Sequence, residues 1–321
     1  MDYRKLGHTN LGVFPLCLGA NTFGWTTDEQ ASFAVLDAYV AAGGNFIDTA
    51  DTYVRWAPGG AGESERILGR WMQARGNRER VIVATKLGSP MSDDPQMQGL
   101  SRRYIMEEVE ASLRRLQTDY IDLYQAHRDD QQTPLEETLA AFNDLVQAGK
   151  VRALGASNYS AGRLRAALAV SAEHGYARYE CLQPLYNLVM RADYERDLEP
   201  LCVEQGLGVI TYSSLASGFL SGKYRPNQDL PATQRASGVQ GRYMNERGWR
   251  VLAEVERVAQ RSQATPAQVA LAWILARPSI TAPIASATSP DQLQELLGAL
   301  DLRLDQDALA ALDAASAWQT A

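Results

Sequence analysis

Short apolar runs alternate with amphipathic stretches along the 321 residues of the chain. Ahead of the first run, residues 2–14 predict a β-hairpin that turns near Gly7–Asn10. The apolar runs predict eight strands, at residues 16–18, 46–47, 81–85, 120–125, 151–155, 180–183, 208–212 and 280–285. A helical pattern follows each strand, with apolar residues recurring every three or four positions. Eight such units in a row are typical of an α/β fold in which a parallel sheet closes into a (β/α)8 TIM barrel.

Capping residues and glycines set the boundaries of the predicted helices. Thr26 or Thr27 is the expected N-cap of the first helix, with two acidic residues in its first turn. Further helices are expected at residues 63–74, from 101 onward, and at 133–148, 161–172, 193–204, 242–262, 266–276, 290–298 and 305–316, the last two being extra C-terminal helices. The polar connection at 213–240 is too long for a plain connector, which favours a functional loop. No linker divides the chain, so residues 1–321 are expected to form a single barrel domain.

Composition and charge narrow the classes of function. The apolar fraction of 45% is sufficient for a large core, and the net charge of −7 argues against a nucleic-acid or anionic-membrane partner. No apolar run approaches the ~20 residues of a membrane-spanning helix, and the polar N-terminus does not resemble a signal peptide. Three widely spaced cysteines, Cys17, Cys181 and Cys202, are expected to be reduced core thiols in a cytoplasmic protein. With only three histidines, no metal site is expected.

Four chemically active side chains fall at the carboxyl ends of predicted strands, where barrels of this type carry their active sites. Asp48 and Tyr53 follow the second strand, Lys86 ends the third, and His127 follows the fourth. An ammonium beside a phenol favours the phenolate and lowers the pKa of the phenol. A carboxylate beside that ammonium keeps it charged. The set therefore predicts Tyr53 as a proton donor near neutral pH, with the other three residues as its catalytic partners.

These four residues supply acid–base chemistry without a nucleophile. The chain has no G-x-S-x-G sequence, and no cysteine neighbours His127 in sequence. A tyrosine and a histidine whose side chains reach the same position suit the protonation of a carbonyl oxygen there. The missing ingredient is a hydride donor, which indicates a nicotinamide cofactor.

Seven segments carry a more specific signal: DTADTY (48–53), GESERILG (62–69), VATK (83–86), DYIDLYQAH (119–127), GKVRALGASNYS (149–160), LQPLYN (182–187) and ITYSSLASGFLSGKY (210–224). In order and spacing they resemble the aldo-keto reductase superfamily, and its bacterial members related to the potassium-channel β-subunit branch. The resemblance implies a barrel without a Rossmann fingerprint, which fits the absence of a strand–GxGxxG–helix unit. It also implies that Tyr53 is the general acid for carbonyl reduction, that Lys86 with Asp48 lowers its pKa, and that His127 orients the carbonyl.

The same resemblance assigns the cofactor contacts. The nicotinamide contacts would be Ser157, Asn158 and Gln183 on the carboxamide and Tyr212 on the ring. The pyrophosphate contacts would be Ser213, Leu215, Gly218 and Lys223. On the residues alone, Ser157-Asn158 can equally be a helix cap and Gln183 a buried amide.

The segment that would hold the adenosine end departs from the family pattern. Many members carry lysine and arginine where this chain has residues 285–300. The candidate contacts to the 2′-phosphate are instead Ser286, Thr288, Gln292 and Glu295. Hydroxyls and amides bind phosphate without the charge that makes arginine strong at this task. NADP(H) is expected from the family's habit, and NAD(H) stays open.

The substrate would be a small-molecule carbonyl or alcohol. Trp25 and Trp56 can form an apolar wall for a substrate ring or simply pack the rim. Arg128 can line the substrate mouth or be a solvated loop charge. The expected function is NAD(P)H-dependent reduction of an aldehyde or ketone. A dehydrogenase of a sugar or other secondary alcohol and a cofactor-sensing auxiliary subunit stay open as alternatives, as does the oligomeric state.

Overall fold

The computed structural model describes residues 2–226, 228–230 and 236–318. Within them, an antiparallel hairpin of β1 (Arg4–Lys5) and β2 (Gly12–Val13) precedes the barrel. The eight barrel strands, β3 to β10, are Cys17–Gly19, Phe46–Asp48, Ile82–Leu87, Ile121–Ala126, Val151–Ser157, Tyr179–Gln183, Gly208–Thr211 and Ala282–Ala285. They are parallel and lie in chain order, and β10 pairs with β3 to close the barrel. The predicted (β/α)8 fold with an N-terminal hairpin is confirmed.

Helices form the layer outside the strands. They are α1 to α11, at Glu29–Ala41, Glu63–Arg75, Arg102–Leu116, Leu135–Gln147, Ala161–His174, Glu199–Gln205, Ala236–Tyr243, Glu246–Arg261, Pro266–Leu275, Pro290–Leu297 and Gln306–Ser316. Short 3-10 turns occur at Arg78–Arg80, Ala216–Ser221 and Gly298–Leu300, and a π-helical turn at Tyr194–Leu198. The stripe Ile105, Val109 and Leu113 on α3 is buried in the main apolar cluster. Burying each such side chain stabilises the fold by ~1.5–3 kcal/mol.

The hairpin packs at the amino-terminal end of the barrel. Leu6 and Val13 belong to the same buried apolar cluster as Cys17 and Phe46 of the barrel interior. A β-carbon on Gly208 would lie 2.6 Å from Leu6 Cδ1 and 2.9 Å from the Gly7 amide nitrogen, so a side chain there would force the hairpin to shift. The opposite end, at the carboxyl termini of the strands, is where a ligand can enter.

Asp28, and not Thr26 or Thr27, caps α1. Its carboxylate accepts a hydrogen bond from the Ala31 amide at 2.8 Å. A carboxylate at this position also interacts favourably with the helix dipole. The sequence prediction was therefore wrong by one or two residues, because the acidic residue placed in the first turn is itself the cap.

The helix predicted at residues 242–262 begins only at Glu246, as α8, and the first two predicted residues are instead the end of α7. Asn245 has extended backbone, and its side chain caps α8 by accepting from a backbone amide at 2.9 Å. As a result α7 belongs to the connection after β9. That connection, predicted as a polar loop over 213–240, contains a 3-10 turn and most of α7, while residues 227 and 231–235 lie outside the described residues.

The three cysteines are free, buried thiols. None of the described helices is long and apolar enough to span a bilayer. In the same part of the chain, no group of three or more His, Cys, Asp or Glu side chains is placed to hold a metal ion.

Candidate active site

A buried ion pair lies at the carboxyl ends of β4 and β5. Lys86 Nζ donates to Asp48 Oδ2 at 2.9 Å and to the Thr49 carbonyl at 2.6 Å. The side chains of Lys86 and Asp48 are 1% and 2% exposed. Such a pair persists only where further hydrogen bonds compensate its desolvation. Gln183 supplies one of these, since its Nε2 donates to Asp48 Oδ1 at 2.8 Å.

The Tyr53 hydroxyl joins this ion pair. It accepts from Lys86 Nζ at 2.9 Å and donates to Asp48 Oδ2 at 3.2 Å. The turn after β4 fixes its position, because the Asp51 amide donates to the Lys86 carbonyl at 3.0 Å and the Tyr53 amide donates to the Ala50 carbonyl at 3.3 Å. The three groups predicted from the sequence are thus in direct contact.

Burial raises the pKa of Tyr53 well above its usual value, and the negative charge of Asp48 raises it further. The sequence predicted a net lowering of this pKa, whereas the net direction is upward, because the carboxylate is nearly as close to the phenol as the ammonium is and offsets its charge. Tyr53 therefore keeps its proton at neutral pH. A protonated phenol can donate its proton, and the Lys86 ammonium stabilises the phenolate once the proton has left.

His127 follows β6, and its ring centroid lies 6.0 Å from that of Tyr53 at an interplanar angle of 78°. Burial lowers the pKa of His127 well below its usual value, and the positive charges of Lys86 and Arg128 lower it further. The imidazole is therefore neutral at pH 7, with one nitrogen to donate and one to accept. Its Nδ1 is buried without a hydrogen-bond partner among the described residues. The ring is available to orient a polar group beside Tyr53.

Ser157, Asn158, Gln183 and Tyr212 form one hydrogen-bonded network. Asn158 has a left-handed backbone with φ of 58°. Its Nδ2 donates to the His127 carbonyl at 2.8 Å and to Ser157 Oγ at 3.0 Å, and its Oδ1 accepts from Tyr212 Oη at 2.8 Å. Ser157 Oγ donates to the Gln183 carbonyl at 2.8 Å. Each amide oxygen has two acceptor positions, so this fixed network can still accept from the amide of a ligand.

The segment after β9 has an unusual backbone. Positive φ angles, from 51° to 92°, occur at Ser213, Ala216, Ser217 and Gly218. Backbone of this kind gathers amide N–H groups on one side and suits an anion. A β-carbon on Gly218 would lie 3.0 Å from Lys223 Nζ, so the glycine leaves room for the ammonium. The Leu215 carbonyl accepts from two amides of the same segment and helps to hold its shape.

The residues predicted for the adenosine end form a polar group at the start of α10. Ser286 Oγ donates to Asn21 Oδ1 at 2.7 Å. Gln292 Oε1 accepts from the amide of Thr288 at 3.0 Å and from its hydroxyl at 2.9 Å. With Glu295 they bring no positive side chain, so the N-terminus of α10 is their source of partial positive charge.

One cavity of about 1470 Å³ joins all of these groups. Every residue predicted for the site lines it except Lys86, which is buried behind Asp48 and Tyr53. Trp25 and Trp56 are packed edge to face with ring centroids 5.4 Å apart, and both line the cavity. The two tryptophans therefore pack against each other at the rim and also form part of the cavity wall, so both interpretations apply.

The sequence predictions missed several polar residues at the site, among them Asn21, Gln125, Asn187 and Arg242. Asn21 and Arg242 line the cavity, Asn187 Nδ2 donates to the Ser213 carbonyl at 3.0 Å, and Gln125 Oε1 lies 3.4 Å from the Gln183 amide. Asn21 lies in the loop just after β3 and Asn187 ends the LQPLYN segment, so both had a usable signal. Arg242 had none, because α7 was not predicted as a separate helix.

This geometry belongs to a known class of barrel oxidoreductases. The profile of the Aldo/keto reductase family matches residues 15–317. The chain belongs to the aldo/keto reductase family.

Three relatives show the range of proteins that resemble the chain. The uncharacterized oxidoreductase YrpG of Bacillus subtilis is 36% identical over 319 residues, covering 98% of this chain and 95% of the relative. Norsolorinic acid reductase B of Dothistroma septosporum is 32% identical over 330 residues, with 98% and 81% covered. A probable voltage-gated potassium channel subunit beta of Arabidopsis thaliana is 33% identical over 310 residues, with 94% and 92% covered. The family and its oxidoreductase members support NAD(P)H-dependent carbonyl chemistry on a small molecule.

Proposed function

We propose that this protein reduces an aldehyde or ketone with a hydride from NADPH, and that Tyr53 is the general acid. The observation that carries the proposal is the Tyr53 hydroxyl at the cavity wall, 2.9 Å from Lys86 Nζ and 3.2 Å from Asp48 Oδ2. Proton transfer from a positioned side chain contributes a factor of ~10²–10⁴ to a rate.

Tyr53 donates its proton to the carbonyl oxygen as negative charge develops there. The phenolate that remains lies 2.9 Å from Lys86 Nζ, and the ammonium stabilises it. Asp48 keeps that ammonium charged and in place. Because the pKa of Tyr53 is raised, the proton stays on the phenol until the substrate oxygen becomes the stronger base.

His127 orients the substrate in this proposal. Its ring is neutral and lies beside Tyr53, so it can donate one hydrogen bond to the same carbonyl oxygen. A neutral donor polarises the carbonyl without competing with Tyr53 as the acid.

A nicotinamide dinucleotide would supply the hydride when bound. The residues present fit it, since an amide network lies beside Tyr53 and a backbone turn suited to an anion follows along the same cavity. Ser157, Asn158 and Gln183 would hold the carboxamide and Tyr212 the ring, while the segment 213–218 with Lys223 would hold the pyrophosphate. The cavity exceeds the ~300–1,000 Å³ of common ligand pockets, which suits a cofactor and a substrate together.

NADP(H) is proposed ahead of NAD(H). Ser286, Thr288 and Gln292 offer hydroxyl and amide groups at the start of α10, where the helix dipole favours a phosphate. Glu295 lines the same end of the cavity and opposes it. The balance supports a modest preference, with NAD(H) as a usable cofactor.

The test is oxidation of NADPH and of NADH, measured separately against aromatic and aliphatic aldehydes, in the wild type and Tyr53→Phe. We expect turnover to fall by about 10²–10⁴-fold in the variant, while cofactor still binds by fluorescence quenching. Unchanged turnover in Tyr53→Phe would remove tyrosine as the acid.

Oxidation of a sugar or other secondary alcohol is a second candidate, favoured by the absence of a cationic side chain among Ser286, Thr288, Gln292 and Glu295. A cofactor-sensing auxiliary subunit is a third, supported by the likeness to a probable potassium channel subunit beta. Tight cofactor binding without turnover of any carbonyl or alcohol would favour the third.

In all cases we propose a single cytoplasmic domain over residues 1–321, with neither nucleic acid nor membrane as partner.

A further inference from the structure

Arg128 is a cavity residue whose acidic neighbours are both engaged elsewhere. Asp129 pairs with Arg163, with 2.7 Å between Oδ1 and Nε. Asp130 accepts from the Leu100 amide at 2.8 Å and from a threonine hydroxyl at 2.7 Å. None of the ion pairs within residues 2–226, 228–230 and 236–318 includes Arg128. A cation thus lines the cavity without an ion-paired carboxylate among the described residues.

The position of Arg128 is fixed by the loop after β5. Its Nε donates to Ser89 Oγ at 3.0 Å, and Ser89 is buried. The guanidinium is close enough to the reaction centre to lower the pKa of His127, after burial and Lys86. Burial raises the pKa of Tyr212, the residue proposed to contact the nicotinamide ring, and the charge of Arg128 is one of those that oppose this rise. Arg128 also directly follows His127 in the chain and lines the same cavity as Tyr53, so its charge lies at the wall of the cavity in which the carbonyl would be reduced.

An aromatic pair lines the same cavity, and one of its members, Trp56, belongs to the same loop as Tyr53. Trp25 and Trp56 come from the loops after β3 and β4, whereas Arg128 comes from the loop after β6. Trp56 is 61% exposed, an unusual degree for a residue of that size. Exposed aromatic surface beside a functional cavity is typical of a site that binds an apolar group.

We infer that the preferred substrate is an apolar or aromatic aldehyde or ketone that carries a carboxylate, with Arg128 as the residue that binds the carboxylate. This rests on the proposed carbonyl reduction at Tyr53 and names its substrate class. The guanidinium keeps four N–H donors beyond the one given to Ser89, and its fork matches a carboxylate bidentately. The tryptophan pair would contact the apolar body of the same molecule.

The test compares 4-carboxybenzaldehyde with its methyl ester, which has the same ring and carbonyl without the charge. In the wild type with NADPH, we expect a higher kcat/KM for the acid, mainly through KM. In Arg128→Gln, we expect the ratio of kcat/KM for the acid to kcat/KM for the ester to fall by about tenfold or more. Arg128→Lys keeps the charge but loses the fork, and we expect an intermediate ratio.

Arg55→Gln is the matched control. Arg55 is exposed near the same mouth, where its Nη1 donates to the Pro90 carbonyl at 3.4 Å, and it does not line the cavity. The same loss of charge there should leave the ratio of acid to ester within about twofold, since an exposed charge off the binding surface contributes little. An equal fall in Arg55→Gln and Arg128→Gln would show general charge steering and overturn the inference.

Two other results would also overturn it. One is an unchanged ratio in Arg128→Gln while the ester is still reduced in a Tyr53-dependent way, which would leave the proposed function standing. The other is a loss of NADPH affinity in Arg128→Gln that lowers kcat/KM equally for the acid and the ester. This result would make Arg128 a cofactor contact. Calorimetric binding of 4-carboxybenzyl alcohol to the cofactor-bound protein keeps the inference testable even if no aldehyde is reduced: we expect about tenfold weaker binding in Arg128→Gln, and equal binding would count against it.

Discussion

Thr85 and Lys86 are neighbours on β5, and each contacts a different buried ion cluster. Successive side chains of a strand point to opposite faces. Lys86 contacts Asp48 and Tyr53 inside the barrel. Thr85 Oγ1 donates to Glu65 Oε1 at 2.6 Å, in the layer between the barrel and the helices. Both clusters combine buried carboxylates with one cation, yet only the first lines the large cavity.

The second cluster, which we call the α2–α3 cluster, consists of Glu65, Glu108 and Arg115. Arg115 Nε donates to Glu65 Oε2 at 2.6 Å, and its Nη2 donates to Glu108 Oε1. The Glu65 side chain is 0% exposed and that of Arg115 is 13% exposed. The cluster connects α2 to α3, and its acidic side chains do not border the cavity.

The difference shows that buried charge alone does not indicate catalysis. In the first cluster the ion pair leaves a phenol proton at a surface that a substrate can reach. In the α2–α3 cluster, one guanidinium is shared by two carboxylates and offers no such proton to the cavity. Removing the cation should therefore mainly lower turnover in the first cluster and lower the free energy of unfolding in the other.

Lys86→Met should have the largest effect, a fall in kcat/KM of about 10²–10⁴-fold, because the phenolate of Tyr53 would lose its stabilising ammonium. The measurement is carbonyl reduction with NADPH, with circular dichroism to confirm the fold. Lys150→Met is the matched control, since Lys150 forms a surface ion pair with Glu110 and its side chain is 39% exposed. Turnover of Lys86→Met within fivefold of the wild type would show that the ammonium is structural only.

Arg115→Met should lower the free energy of unfolding by about 3–5 kcal/mol, because two buried carboxylates would lose their shared cation. Urea unfolding followed by tryptophan fluorescence measures it. Arg114→Met, at the exposed neighbouring position, should change the free energy by less than about 0.5 kcal/mol. If Arg115→Met folded normally and lost turnover instead, the contrast between the two clusters would be wrong.

Asp51 lies between the clusters and gives the comparison a pH dependence. Burial raises its pKa well above 3.8, and the charges of Glu108 and Glu65 raise it further. A carboxyl group whose folded pKa is raised contributes its stability below the unfolded pKa. That contribution is lost as the pH rises from about 4 through the folded pKa, at up to ~1.4 kcal/mol per pH unit.

Asp51→Asn resembles the protonated acid and removes this loss. The variant should therefore gain free energy of unfolding over the wild type as the pH rises from about 4, and the gain should level off above the raised pKa of Asp51. Urea titrations at several pH values measure the difference between the two proteins. A difference that stays constant with pH would show that Asp51 ionises as freely in the folded protein as in the unfolded one.

The first cluster could be predicted from the sequence, and the α2–α3 cluster could not. Lys86 and Asp48 fall at the ends of apolar runs, and the barrel places all such ends on one side. Glu65 and Arg115 lie 50 residues apart on two helices, and their contact depends on how those helices pack. Neither helix pattern contains that information, although Glu65 is part of the GESERILG segment.

The pKa of Tyr53 shows a second limit of the sequence. The residue types around the phenol were predicted correctly, but the direction of its pKa shift depends on distances and burial. An ammonium at 2.9 Å and a carboxylate at 3.2 Å act in opposite directions, and burial then decides the outcome. Composition around a site therefore predicts which groups interact, and the geometry decides the sign.

Thr85→Val should have the smallest effect and separates the two faces of one strand. Valine is nearly the same size as threonine and keeps β-branching, so it removes only the hydrogen bond to Glu65. Because Glu65 keeps its ion pair with Arg115, the free energy of unfolding should fall by only about 1–2 kcal/mol. Turnover should stay within twofold of the wild type, although the next residue is Lys86. A large loss of turnover would mean that the α2–α3 cluster positions Lys86 through the backbone of β5, and the two clusters would then be parts of one site.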